Sequence, residues 1–395
     1  MRTLFTREEY EERWRRVHED MRRRGHAAAL VIGRGGGSYD RCGDVLYLAN
    51  HYSPASGHEV DNPLNTARSF SAVLLEEGRE PQLLIDDPEP RRDRLATGHV
   101  SGHNDPMSAA GRALAERAID GTIALVGADF LPLKYWRLIR SAAGNVAWTE
   151  DDTLIQRARR IKSPAEMEVF REAGEIATRS LDLLMAGLVG GMSEAEAVGE
   201  AIRELRRSGA VSQMIPVAHG HHIRHWTSEP LTGASRDVPR PGDLVRGWLD
   251  SIIYQGYWLD PGRTAVAGGR PSARQRSLVE NCVTIVDALI EAIRPGVLVH
   301  DVARLGDRLT ACHRQGSSQM STQWPLYGHG TGLYWEHPYI GLTMCEADDR
   351  FEAGMVLGVE VFLDSEGTGT AAHEQNLIVH AGGNEVLTHS PDFWW

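Results

Sequence analysis

The chain has 395 residues, with 42 Lys and Arg against 54 Asp and Glu and a formal net charge of −12. Two domains are the natural division at that length, because a single core stops growing before it. The acidic balance excludes a nucleic-acid binder, which needs a basic face to neutralise phosphates, and no apolar run reaches the length that crosses a bilayer. Neither nucleic acid nor membrane is therefore expected as a partner.

The opening stretch "MRTLFTREEYEERWRRVHEDMRRRG" reads as a charged amphipathic helix ending near Arg24. It lacks the apolar core of a secretion signal, which implies a cytoplasmic protein. The segments "AAALVIG", "VLYLAN", "SFSAVLLEEG", "PQLLID" and "TIALVGA" then read as strands, interleaved with helices near 108–119 and around Trp136. Short apolar runs bounded by Gly, Pro and Asp and alternating with helices make a small α/β domain. The glycines of "GRGGGSYD" miss the spacing of a dinucleotide loop, so this stretch is expected to be a turn. Cys42, Cys282, Cys312 and Cys345 lie far apart without a CxxC pair, as free thiols do and as a disulfide framework or thiolate zinc site does not.

The character changes around "RRIKSPAEMEVFREAGEIATRSLDLLM". Ser163 supplies a helix cap and Pro164 a first-turn proline, and apolar residues recur at helical spacing through Leu184. A second helix follows "GGMSEAEAV", then strands near 211–217 and 243–258, helices from Ser272 and His300, and a strand-rich end through "GMVLGVEVFL" and "EQNLIVH". This order predicts an α+β domain with a mainly antiparallel sheet.

Four acids of this second part stand in apolar strand context: Asp250, Asp260, Glu360 and Glu374. His329 in "YGHGTGLYWEHP" joins them. Flanking Val, Leu and Ile shield these carboxylates from water, and burying them unpaired costs several kcal/mol each. Two divalent cations would balance four carboxylates, and hard oxygens with one imidazole suit Mn, Fe, Co or Zn. The alternative is a set of unrelated strand-end acids paired with arginines such as Arg263.

The segments "IKSPAEMEVFREAGEIA", "GYWLDPGRTAVAG", "GHGTG", "GMVLGVE" and "HEQNLIVH" resemble, in order, the pita-bread superfamily of creatinase, aminopeptidase P, prolidase and methionine aminopeptidase. The resemblance implies an α+β protein with a smaller N-terminal creatinase-type α/β domain at 1–155 and a pita-bread catalytic domain at 156–395. It makes Asp260, His329, Glu360 and Glu374 ligands of one metal, with Asp260 and Glu374 bridging to a second. It implies a metal-dependent hydrolase of a C–N bond in a small molecule or short peptide, with Glu360 taking a proton from the attacking water. It also implies a homodimer in which loop residues such as Asn50 and His51 reach the partner's substrate.

Two departures from the peptidase pattern stand out. The peptidases' first aspartate, eleven residues before the second, is here Leu249, and an acid follows at Asp250. Their histidine seven residues after the metal histidine is here Glu336, with His337 next, and either is a candidate to serve the leaving nitrogen. In both places the motif is closer to the dimethylsulfoniopropionate lyase branch, which keeps elimination by proton abstraction open as an alternative reaction. A non-catalytic binding module is a third reading.

Trp248 and Trp258 each lie two residues before an acid on a shared strand face, and Trp335 adjoins Glu336. Such aromatic faces either pack a core or hold a cationic substrate group. Within "HGHHIRHW", the resemblance points to His219 and His222 as substrate-binding histidines.

Overall fold

The structure, a computed structural model, describes residues 4–35, 41–53, 61–313 and 326–395. Contacts divide the chain into two units, Met1–Arg159 and Arg160–Trp395.

In the first unit, α1 (Arg7–Arg24) starts at the Thr6 side chain, which accepts from the Glu9 N–H, and stops at Gly25, whose φ of 75° ends the helix. It is followed by β1 (His26–Arg34), α2 (Gly43–Ala49), β2 (Phe70–Glu76), β3 (Gln82–Ile85), β4 (Val100–Gly102), α3 (Pro106–Arg117), β5 (Thr122–Val126), α4 (Leu133–Ala143), β6 (Ala147–Glu150) and α5 (Leu154–Arg159). The strands form one mixed sheet in the order β4-β3-β2-β1-β5-β6. The segment "VLYLAN", expected as a strand, is the helix α2. An apolar run this short fits either state by periodicity, and here Val45 packs against the bare face of Gly33 on β1 while Asn50 closes the helix at φ 52°. Of "GRGGGSYD", residues 36–40 lie outside the described residues.

The second unit opens with α6 (Pro164–Gly190), held by a full capping box between Ser163 and Glu166, and α7 (Glu194–Arg207), capped in the same way by Ser193 and Glu196. The helix predicted through Leu184 runs on to a left-handed Gly191. Next come β7 (Val211–Ser212), β8 (Val217–His219), β9 (Leu244–Trp248), β10 (Ile252–Tyr254), β11 (Tyr257–Leu259), β12 (Gly262–Val266), α8 (Ala273–Ala292), α9 (Val299–Thr310), β13 (Gly328–Thr331), β14 (Trp335–Tyr339), β15 (Val356–Ser365), β16 (Gly369–His380) and β17 (Gly383–Val386). The main sheet is antiparallel in the order β14-β13-β15-β16-β12-β9-β8, with β17 also on β16, and β11-β10-β7 forms a small second sheet. This is the pita-bread architecture.

Alternation along the long central hairpin decides where polar groups go. Leu357, Val359, Val361 and Leu363 of β15 and Leu377 and Val379 of β16 pack into one core with Leu278, Val286 and Leu289 of α8. The intervening residues of β15, Gly358, Glu360 and Phe362, therefore face the other way. One face of the hairpin is apolar core, and the other carries acids.

Candidate active site

On that second face the antiparallel register sets Glu360 directly opposite Glu374, Gly358 opposite Asn376 and Phe362 opposite Ala372. β12 borders β16 through the pair Gly262 and Glu374, so Asp260, two residues before Gly262, arrives beside the same carboxylates. β13 borders β15 on the other side and brings in His329 opposite Gly358. Gly358 leaves the room this convergence needs: a Cβ there would lie 2.4 Å from Glu374 Oε1 and 3.3 Å from Asp260 Oδ1.

Asp260, His329 and Glu374, all buried, each offer one ligand atom, and these lie within 4.8 Å of one another. His329 Nε2 is 3.3 Å from Asp260 Oδ2 and 3.8 Å from Glu374 Oε1. Its Nδ1 lies 3.0 Å from the Gly330 carbonyl, which holds a hydrogen on that nitrogen and leaves Nε2 as the one whose lone pair the neutral ring can offer to a cation. Neither His329 Nε2 nor Glu374 Oε1 makes a hydrogen bond, although both are buried. A nitrogen and an oxygen that face each other, both buried, both able to offer a lone pair and neither hydrogen-bonded, are what a divalent cation would satisfy.

Electrostatics agree with that fit. Burial lowers the affinity of His329 for a proton, but the charges of Asp260 and Glu360 outweigh it and push the imidazole up to about 9. Burial, then the charges of Asp260 and Glu360, hold the Glu374 carboxyl well above the usual range. Burial also acts to raise Asp260, yet the charge of His329 and the Asn376 amide bring it below its ordinary value. Without another positive charge the cluster gathers protons. Arg263 does not neutralise these acids: its guanidinium donates to the main-chain carbonyls of Gly262, Glu374, Ser390 and Pro391 instead.

Three side-chain N–H groups brace the carboxylates. Asn376 Nδ2 donates to Asp260 Oδ1 at 2.9 Å while its Oδ1 accepts from the Asp260 N–H at 3.1 Å. Trp335 Nε1 donates to Asp260 Oδ2 at 2.8 Å, and its ring stacks on His329 at a centroid distance of 4.1 Å. Trp248 Nε1 donates to Glu374 Oε2 at 2.7 Å. Gly262 makes this last bond possible, since it lies between Trp248 on β9 and Glu374 on β16 and has no side chain to stop the indole crossing. A Cβ at 262 would come within 2.0 Å of the ring.

The model of metallopeptidase family M24 matches residues 168–381, which contain every one of these groups. The chain belongs to that family. An uncharacterized peptidase of Staphylococcus saprophyticus is 28% identical over 322 residues, covering 80% of this chain and 87% of that one. Another from Bacillus subtilis is 29% identical over 238 residues, covering 60% and 64% respectively. Among solved structures, an Xaa-Pro dipeptidase from Bacillus anthracis superposes with a TM-score of 0.77 at 23% identity, covering 97% of this chain and 98% of that one. A prolidase from Pyrococcus horikoshii gives 0.76 at 20% identity, covering 96% and 99%. At those identities the structural likeness shows the fold. Family and fold together make the protein a metallopeptidase-like enzyme of M24, and the lyase branch gains no support from them.

Within this M24 unit the remaining site expectations separate. Asp250 is not brought into the cluster. It sits in the turn after β9, where its Oδ1 accepts from Ser251 at 3.0 Å and its main-chain carbonyl accepts from Ser212 at 2.9 Å. It stays within electrostatic reach, for burial and then the charge of Asp260 push its carboxyl up to about 6. Leu249, the residue in the peptidases' aspartate position, is fully buried. Glu336 is also not brought to the cluster: alternation along β14 points it away from the Trp335 face, into a buried ion pair with Lys162 of the "IKSP" segment. That carboxylate is committed to a structural partner. His337 returns to the Trp335 side and meets Tyr339 edge-on at 4.8 Å.

Of the core and substrate roles open to Trp248, the structure shows the first: it is buried in a cluster with Phe362 and Ala372, with Trp226 against it, and reaches Glu374 through its N–H. Trp258 ties β11 to the site by backbone, its N–H donating to the Gly332 carbonyl at 2.8 Å and its carbonyl accepting from Thr331 Oγ1 at 2.8 Å. His219 Nδ1 is held 2.6 Å from the buried Glu194, which Ser228 Oγ and the Ser235 N–H also bind. His222 is half-buried and lies against His221, with ring centroids 3.8 Å apart and planes tilted by 42°. Sequence reasoning missed Asn376 and Lys162. Asn376 had a signal, being two residues past Glu374 on the same strand face.

Proposed function

We propose that the protein is a metal-dependent hydrolase that cleaves the C–N bond of an amide or short peptide, holding its divalent ion with Asp260, His329, Glu360 and Glu374. The observation that carries this is the facing pair of unbonded buried atoms, His329 Nε2 and Glu374 Oε1, 3.8 Å apart among carboxylates. The donor set, hard oxygens with one imidazole, fits Mn, Fe, Co or Zn. When bound, such an ion supplies a Lewis acid that polarises a carbonyl and lowers the pKa of water.

The protein's own groups do the rest. Glu360, opposite Glu374, takes the proton of the attacking water on its carboxylate. Asn376 and Trp335 fix the two oxygens of Asp260, and the Gly330 carbonyl fixes the tautomer of His329, so the ligands do not reorganise during the reaction. In this reading His337, which alternation along β14 puts on the Trp335 side, passes a proton to the leaving nitrogen. Burial of all four ligand side chains keeps bulk water from screening these charges.

The test is a product assay on short peptides, Xaa-Pro dipeptides included, and on simple amides, with the protein stripped and then reloaded with each of the four ions. Amine release that needs the ion and falls at least a thousand-fold in Glu360→Gln is expected. An alkene product with no released nitrogen would overturn hydrolysis in favour of elimination.

A further inference from the structure

Glu374 and Asp260 together present four carboxylate oxygens, and three of them accept an N–H. Oδ1 of Asp260 is bound by Asn376 at 2.9 Å, Oδ2 of Asp260 by Trp335 at 2.8 Å, and Oε2 of Glu374 by Trp248 at 2.7 Å. Only Glu374 Oε1 is without a donor, and it faces His329 Nε2. For a carboxylate to bridge two ions, each oxygen must turn a lone pair to a different cation. Here the Glu374 oxygen on the far side from His329 already carries an indole hydrogen.

We infer that the site holds one divalent ion, at the His329 side of Asp260 and Glu374, and that the indole N–H of Trp248, on the other oxygen of Glu374, stands where a second would bind. This rests on the metal reading above. An indole nitrogen donates and never accepts, so neither tryptophan can turn into a ligand. Its partial positive hydrogen offsets some carboxylate charge, as a cation would, while its ring fills the space.

Two further features close off the second place. Trp248, which ends β9 next to β12, and Leu249, which follows it, are both buried, and neither offers a ligand atom. The acid that follows, Asp250, lies in the turn with Oδ1 turned to Ser251. The arrangement is also built in rather than incidental, because the Trp248 ring lies over Gly262, where any Cβ would collide with it at 2.0 Å.

The test uses the full chain, stripped with chelator and titrated with Mn²⁺. Elemental analysis after dialysis should give one ion per chain, and the electron paramagnetic resonance spectrum should be that of an isolated Mn²⁺ at every ratio. Two ions per chain with an exchange-coupled spectrum would overturn this inference and leave the metal reading intact. No bound ion would overturn both. A second measurement follows the Trp248 indole N–H signal in ¹H–¹⁵N spectra of the Zn²⁺-loaded protein, assigned by its loss in Trp248→Phe. It should persist and exchange slowly; its disappearance on loading would overturn the inference.

Discussion

Glu360 and Glu374 stand directly opposite each other on neighbouring antiparallel strands, both buried. Like charges in that relation destabilise a sheet by up to about 1 kcal/mol even at the surface. Burial, with Asp260 and Glu360 as neighbours, keeps the Glu374 carboxyl well above its ordinary range. Without an ion, the hairpin therefore carries an electrostatic cost at this pair. Glu374→Gln is expected to raise the stability of the chelator-treated protein by about 1 kcal/mol while abolishing retention of the ion. Urea denaturation with and without chelator, beside metal analysis, checks both halves. A stripped variant less stable than the stripped parent would argue against the account.

The pH dependence of the metal-free protein follows from the same cluster. Burial lowers and the charges of Asp260 and Glu360 raise the His329 imidazole, for a net shift from 6.5 to about 9. The proton it holds in the folded state contributes stability that is fully present below pH 6.5 and is lost as pH rises through 9. That contribution is about 3 kcal/mol. Asp250, raised by burial and by Asp260 from 3.8 to about 6, acts in the same direction at lower pH. The melting temperature of stripped protein should fall between pH 6 and pH 9, and a saturating divalent ion should remove most of that slope by replacing the proton. Scanning calorimetry across this range measures it. A flat profile without metal would mean that His329 is not the group holding the charge.

The strands that deliver Asp260, Glu360 and Glu374 were legible in the sequence because each acid interrupts an apolar run, and alternation fixes the face it takes. Convergence of the three with His329 is a matter of sheet order, which periodicity does not encode; the family resemblance supplied it. The roles of Trp248 and Trp335 were not legible. Their position two residues before or just beside an acid said that they lie nearby, but whether an indole lines a cavity or bonds a carboxylate depends on what the neighbouring strand carries, here Gly262. Glu336 was misplaced for a similar reason, since its partner Lys162 comes from the segment before α6. The helix α2 was read as a strand because seven apolar-rich residues do not distinguish the two states.

Lys162 and Glu336 form an ion pair with both side chains almost wholly buried. Removing one partner leaves an uncompensated charge in the interior, which costs about 3–5 kcal/mol, whereas replacing both with apolar groups of similar size is often neutral. Lys162→Met should therefore be severely destabilised, and Lys162→Met with Glu336→Leu should recover most of the loss. Because Glu336 faces away from the cluster, the double variant should also keep its bound ion. Denaturant midpoints and metal content test this together. Loss of the ion in a well-folded double variant would place Glu336 in the site after all.

Gly262 is the position where one methyl group reports on the whole arrangement. It pairs with Trp248 on one side and Glu374 on the other, and a Cβ would lie 2.0 Å from the indole ring. Gly262→Ala must push the ring toward Phe362, which stacks on it at 5.3 Å, or lift it off β12. Overpacking of this kind costs about 1–3 kcal/mol. Either movement breaks the 2.7 Å bond to Glu374 Oε2. Loss of such a brace on a metal-holding carboxylate lowers affinity about ten-fold to a hundred-fold. The expected result is a folded protein with a changed Trp248 fluorescence environment and weaker retention of the ion. Thr264→Ser, two residues along the same strand, should change neither, since its hydroxyl still reaches the Ala372 carbonyl. If Gly262→Ala leaves ion affinity unchanged while the tryptophan signal shifts, the indole bond does not hold the ligand in place.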